Sequence, residues 1–294
     1  MTTTDTTTDQ PDAAPAVRPG RIITLLGIDA SGKDLLAEGL VSHLTTHGVA
    51  AQFLPRRHYL LGMPTGPTAD LNRTLYDGAL RAFYTGARTP DGSDVSDRLA
   101  PDADLRSKDV TRALTDVDIA YNNARTVLAS SIAEIAGSLA YWETVLLPKV
   151  HEGQVVIDTP HLIRAVVKGC VMVQHHAVHG TPLHRQAGEV MACAREVLRP
   201  SSSLAVPVLL RVTPELAYER RVAQYGGLGP LEHYGQVGGE ATRAAYLDLQ
   251  RRVQAELETI AAHWRAVVVD MDPDWAEAWP AGLEAILSDE RMRL

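Results

Sequence analysis

The sequence predicts a doubly wound α/β domain, an open parallel sheet with helices on both faces. Three features carry that reading. Short apolar β-branched runs, Arg21–Leu26 first among them, alternate along the chain with longer amphipathic stretches. The runs are apolar on successive residues and do not alternate with polar ones, as strands buried on both faces require. Glycine-rich Gly27–Gly32 sits between the first run and a helical pattern, so the chain turns sharply from strand to helix there.

Residues 1–20 are rich in Thr, Asp, Ala and Pro with little to bury, and are expected to be a disordered tail; 21–294 form one domain. Lys33–His47 carries Leu35, Leu36, Leu40 and Leu44 near helical spacing, and Gly48 ends it. Val49–Leu54 reads as a second strand. Gly62–Asp77 and Gly86–Asp109 are polar and turn-prone; the second, within an insertion at about 86–115, reads as a surface flap, a disordered excursion or a substrate contact.

A long helix is expected over about 116–149, with Ile119, Val127, Leu128, Ile132, Ile135, Leu139 and Trp142 as its apolar stripe. Gln154–Ile157 is the third strand, ending at Asp158. Helices over His161–His176 and Leu183–Leu198 follow. Leu204–Val212 is the fourth strand despite Pro207, which conflicts with a central position. Thr213-Pro214-Glu215 opens a helix with a capping hydroxyl, proline at its first position and an early acid. Glu240–Arg265, Ala266–Asp270 and Asp274–Leu287 complete the alternation as helix, strand and helix.

Composition narrows the partners. Net charge is −8, from 36 acidic and 28 basic residues, against nucleic-acid binding, which needs dense Lys and Arg. Two cysteines, Cys170 and Cys193, build no disulfide framework, and no apolar run is long enough for a bilayer or a signal peptide. A cytoplasmic protein with a small-molecule partner, no nucleic acid and no membrane is expected.

The chemistry centres on Gly27-Ile28-Asp29-Ala30-Ser31-Gly32-Lys33, which fits the first seven positions of G-x-x-x-x-G-K-[ST]. Its glycines let backbone N–H groups converge on phosphate oxygens, the following helix adds its dipole, and Lys33 adds a charge. Gly27, Ala30, Ser31, Gly32, Lys33 and Asp34 are thus the expected nucleotide contacts. Asp34 replaces the usual metal-binding hydroxyl: it either ligates Mg²⁺ as a hard oxygen donor or serves as a first-turn acid.

The loop resembles the G-[IV]-D-G-[SA]-G-K loop of thymidylate kinases, Asp29 included. Phe53-Leu54-Pro55-Arg56, Trp142-Glu143, Gly153–Asp158, Leu209–Glu215 with Arg220-Arg221, and Glu232-His233-Tyr234 follow that family's order over residues 21–290. The resemblance implies a five-stranded P-loop nucleotide kinase, with ATP and Mg²⁺ as cofactors, acting on a nucleoside monophosphate or a related small acceptor. It implies that Lys33 holds the donor phosphates, Asp29 faces the acceptor, and Asp158 positions Mg²⁺. It assigns the acceptor phosphate to Arg56 or Arg57, and the transferring group to Arg220 and Arg221, unless that pair is only a solvated helix face. A homodimer built on the long helix is a further implication.

The sequence departs from the family on the acceptor side. Asp158-Thr159-Pro160 stands where the family has Asp-Arg-Tyr, and Val166-Val167-Lys168 where it has a base-holding run. His161, Arg164 and Lys168 share a helical face, as either a rebuilt anion site or an exposed polar stripe. A kinase of a non-nucleotide specialised metabolite, or a nucleotide-binding protein with impaired catalysis, therefore stand as alternatives. His175, His176, His179 and His184 form a polar helix end, a loop near the acceptor, or a metal site.

Overall fold

A computed structural model describes residues 20–98, 117, 119–120, 122–159, 161–201, 203–228, 232–234 and 242–293, without the side chains of His161 and Leu162. The expected tail, save Gly20, lies outside the described residues, as do 99–115 of the insertion.

Five strands, β1 (Arg21–Leu26), β2 (Ala51–Phe53), β3 (Val155–Asp158), β4 (Ala205–Arg211) and β5 (Val267–Asp270), form one sheet in the order β2-β3-β1-β4-β5. Every pairing is parallel, with Ile22 opposite both Val156 and Ala205. The central strands are almost wholly buried, which is why their sequences are apolar throughout. Helices flank the sheet: α1 (Lys33–Thr46), α2 (Arg56–Gly62), α3 (Pro67–Tyr84), α4 (Ala124–Tyr141), α5 (Leu147–His151), α6 (His161–His176), α7 (Pro182–Val197), α8 (Pro214–Tyr225), α9 (Arg243–Trp264) and α10 (Trp275–Leu287). No helix among the described residues is long and apolar enough to cross a membrane.

The main core joins the sheet to Leu36, Leu40 and Leu44 of α1, Val166, Val167 and Cys170 of α6, and Leu249, Val253 and Leu257 of α9. A second cluster packs Ile22, Val156 and Ala205 against Leu54, Leu60, Tyr141 and Val145. β1 leads towards the β2 edge and β4 towards the β5 edge, so their connections diverge at neighbouring carboxyl ends. In open α/β sheets that divergence opens a crevice suited to ligands.

Several expectations are corrected. The Gly62–Asp77 loop is mostly helix: α3 starts with Pro67 in its first turn and buries Ala69, Asn72, Ala79 and Tyr84. The long helix begins only at Ala124, where the Asn123 side chain accepts from the Arg125 N–H at 3.0 Å. It widens to a π-turn over Trp142–Leu146, with the Leu147 N–H donating to the Trp142 carbonyl, before α5 resumes. Pro148 has no N–H for the i−4 carbonyl, and the wider turn accommodates it. The predicted stripe is not all core, since Ile132 and Leu139, seven residues apart, are 52% and 38% exposed.

The first part of the Gly86–Asp109 excursion is packed into the domain. Ala87 and Val95 are buried, Arg88 bridges to Asp94, and Val95–Arg98 form a 3₁₀ turn. Pro207 is tolerated inside β4 because pairing with β5 begins one residue later, at Val208 opposite Val267. Thr213 precedes α8 as expected but makes no side-chain capping bond; its own N–H donates to Asp272 Oδ1 at 2.7 Å.

Helix α10 lies close on the β5 edge, where a Cβ at Gly282 would fall 2.8 Å from Val269 Cγ1. Gly282→Ala must push α10 off the sheet, and is expected to cost about 1–3 kcal/mol in a urea unfolding titration. A variant as stable as the parent would show that the two layers do not pack this closely.

Candidate functional site

The loop leaves β1 in a conformation few side chains allow. Gly27 has φ 156°, and a Cβ there would meet Ser31 Oγ at 2.5 Å and the Leu210 carbonyl of β4 at 3.0 Å. Ala30 and Gly32 are left-handed at φ 56° and 86°. Gly32 precedes α1 and offers no capping side chain. Lys33, the first residue of α1, folds back over the loop: its Nζ donates to the Gly27 carbonyl at 3.1 Å, the Ile28 carbonyl at 2.6 Å and Ser31 Oγ at 3.0 Å. Only 8% exposed, the ammonium loses hydration, and burial, reinforced by Arg164, lowers its pKa to about 7.

Asp29 is the second focus. Its carboxylate accepts from Arg164 Nη1, from Lys168 Nζ at 2.6 Å and from Gln250 Nε2 at 2.9 Å. Its backbone N–H donates to Gln250 Oε1 at 3.2 Å, so one amide of α9 grips both ends of the residue. Burial alone would raise this pKa, but Arg164 and Lys168 hold it well below the usual carboxylate range. The face shared by Arg164 and Lys168 is thus neither an exposed stripe nor a vacant anion site: their side chains, 14% and 13% exposed, are paired to the loop. His161 opens α6, with its side chain outside the described residues.

A third group gathers at the carboxyl ends of β1, β2 and β3. Thr24 pairs in register with Asp158, and the Leu54 N–H donates to the Ile157 carbonyl, which brings Arg56 towards the same end. Thr24, Arg56, Asp158 and Thr159 are at most 4% exposed. Thr24 Oγ1, Arg56 Nε and Nη2, Asp158 Oδ1 and Thr159 Oγ1 have no hydrogen-bond partner among the described residues. Arg56 Nη1 donates to Glu134 Oε2 at 2.7 Å, and its guanidinium lies 5.3 Å from the Tyr76 ring centroid. Space for it comes from Gly137 of α4, where a Cβ would fall 2.2 Å from Nη2. Burial raises the Asp158 pKa to about 7, against the lowering effect of Arg56. Orphaned polar atoms at this density need a ligand or solvent to satisfy them.

The remaining predicted residues divide. Arg220 donates to the Met271 carbonyl at 2.8 Å, a contact that ties α8 to the end of β5. Arg221 forms a two-pronged pair with buried Glu232, Nε to Oε2 at 2.8 Å and Nη2 to Oε1 at 2.6 Å, and stacks over Tyr225. Neither is a merely solvated helix face. Arg57 begins α2 beside Arg56. Asp34 is exposed in the first turn of α1. His175 stacks on Tyr234 at 3.6 Å and His176 Nε2 lies 2.6 Å from the Tyr234 carbonyl. No group of three or more His, Cys, Asp and Glu among the described residues could hold a metal.

Gln250 of α9, whose amide holds Asp29, was not foreseen as a site residue. The available signal was a polar amide on a face otherwise filled by Leu249, Val253 and Leu257.

The buried lysine and aspartate predict opposite pH limbs. Asp158 holds its proton in the fold between about pH 4 and 7, where the unfolded chain has released it, so its contribution to stability falls as pH rises through that window. Lys33 has released its proton between about pH 7 and 10.5, where the unfolded chain keeps it, so its contribution rises there. Asp158→Asn should flatten the first limb and Lys33→Met the second, each by up to about 4 kcal/mol in denaturant titrations across pH. Unchanged pH profiles in both variants would refute the burial assigned to these groups.

No protein-family model and no curated protein sequence matches this chain, and the chemistry of the site rests on its own residues.

Proposed function

We propose that the protein is a P-loop phosphotransferase resembling thymidylate kinase, moving the γ-phosphoryl group of ATP to a nucleoside monophosphate or a related small acceptor. The observation that carries this reading is Lys33: an ammonium folded onto the carbonyls of a left-handed glycine loop, at the start of a helix, beside a sheet crevice. An incoming phosphate offers it stronger acceptors than two carbonyls and a hydroxyl, and would raise its depressed pKa.

In this reading the loop amides and Lys33 hold the β- and γ-phosphates. Mg²⁺, when bound, neutralises the phosphate charge, with Asp34 and Asp158 as the residues that would hold it, directly or through water. Asp158 fits that role through its unpartnered Oδ1. Arg56 would meet the acceptor with its unpartnered Nε. Arg221 is aligned by Glu232, and Arg220 holds the helix that carries it. Transfer of this kind asks mainly for alignment and charge neutralisation, which such a set supplies.

A kinase of a non-nucleotide metabolite is favoured by one observation. Arg164 and Lys168, where the family's acceptor pocket would lie, are spent on Asp29.

In a thermal-shift assay, ATP with Mg²⁺ at 100 times its Kd should stabilise the wild-type protein by about 2.7 kcal/mol, and Lys33→Ala should abolish the effect. No shift with any nucleoside triphosphate, with or without Mg²⁺, would sink the proposal. A screen of phosphorylated and non-phosphorylated acceptors with labelled ATP then separates the two readings. Binding without turnover across that panel favours a catalytically impaired protein. Asp34→Ser should raise the Mg²⁺ concentration needed for half-maximal turnover several-fold if Asp34 holds the metal, and leave it unchanged if the carboxylate serves only the helix.

A further inference from the structure

Helices α1 and α10 flank a groove of about 420 Å³. Leu35, Glu38, Ser42 and His43 line it from α1, and Trp275 and Trp279 from α10. The two indoles, one helical turn apart, stack with centroids 5.5 Å apart and planes at 24°. Trp279 lies so close on α1 that a Cβ at Gly39 would fall 2.7 Å from its ring, so backbone fixes its place. Both indoles are half-buried, and Leu35 in the same groove is 48% exposed. A lone exposed leucine is ordinary. Two part-exposed indoles and a leucine around one open groove form an apolar patch that marks a binding surface.

The groove starts at the glycine loop. Leu35 is two residues beyond Lys33 on α1. Met271, just after β5 and four residues before Trp275, touches the loop itself, since a Cβ at Gly32 would lie 3.1 Å from its Cε. Gly39, against Trp279, is about 9 Å of helix from Lys33, a span that a sugar and two phosphates cover. The walls change character over that distance. The loop presents an ammonium and backbone N–H groups, whereas no lysine or arginine among the described residues lines the groove. A stacked aromatic wall without cations suits an uncharged planar ring, and Glu38 and Ser42 offer acceptors to amino groups on its edge.

We infer that this groove takes the nucleobase of the nucleotide whose phosphates reach the loop, with Trp275 as its stacking partner and Trp279 holding that indole in place. That the ring belongs to a phosphorylated nucleoside rests on the kinase reading; the ring site itself rests on the indoles and the groove. Stacking accepts every base, since each has a π face.

The test titrates ATP and inorganic triphosphate, each with Mg²⁺, into the full chain by calorimetry, with and without Trp275→Ala. Tryptophan fluorescence is followed in parallel, and melting of the unliganded variants checks the fold. Trp275→Tyr, which keeps a stacking ring, is the conservative variant. Trp275→Ala should weaken ATP about tenfold and leave triphosphate unchanged, and Trp275→Tyr should recover most of the loss. ATP should quench the indole emission of the wild-type chain, and triphosphate should not. Equal losses of ATP and triphosphate affinity on Trp275→Ala would show a disturbed loop and overturn the inference. ATP affinity that does not depend on Trp275 also overturns it.

Failure of the kinase reading gives a different pattern. Wild-type protein that binds neither ATP nor triphosphate removes that reading, and adenosine then tests the groove alone. Saturable quenching by adenosine that Trp275→Ala weakens leaves the ring site standing, and its absence overturns it. If Trp275→Ala spares ATP affinity but shifts the sedimenting species to a smaller one, the groove is an interface between two copies and the nucleobase is overturned.

Discussion

The Asp29 carboxylate is the point at which loop, α6 and α9 meet. A buried carboxylate is costly unless its charge is paired and its oxygens are bonded, and here Arg164, Lys168 and Gln250 do both. Because those partners come from two helices on different parts of the chain, the loop conformation is fixed from outside as well as by its own glycines. The strained φ at Ala30, adjacent to Asp29, is held by that network. Lys33 can then lie folded on the loop while the Asp29 carboxylate is engaged elsewhere.

The fold was legible because its signals are local. Apolar runs at 21–26, 155–158 and 205–211 are buried on both faces, and such strands need no partner information to be recognised. Helix α6 was read at its full extent from His161 to His176. The failures share a cause: competition between backbone and side-chain bonds that residue type alone does not decide. Asn123 and Pro148 delimit and distort a pattern that periodicity reads as continuous. Polar Asn72, wholly buried, bonds Thr144 and the Thr68 carbonyl inside a segment that looked like a loop. At Thr213 the first-turn bond expected of the hydroxyl is not made, and an aspartate from 59 residues away binds the backbone N–H instead.

For the candidate site, the loop could be read from spacing, but its environment could not. Arg164 and Lys168 were visible as one helical face; that the face meets Asp29, 135 and 139 residues earlier, is a fact of tertiary packing. Gln250 gave no motif, since a polar residue on a buried helical face reads equally as a satisfied core group. Gly137 gave none either, although without it the Arg56 guanidinium would have no room.

The two ends of the site differ in how completely the protein satisfies itself. Around the loop, the ammonium and carboxylate are both bonded by protein groups, so any ligand arriving there must exchange one set of bonds for another. At the ends of β1 and β3, by contrast, Thr24, Asp158, Thr159 and Arg56 retain unpartnered atoms, each costing about 1–3 kcal/mol if left so. Binding at the first place is an exchange that preserves the net bond count, and at the second it removes a standing penalty. A ligand bridging both would draw its affinity mostly from the β3 end and its alignment mostly from the loop.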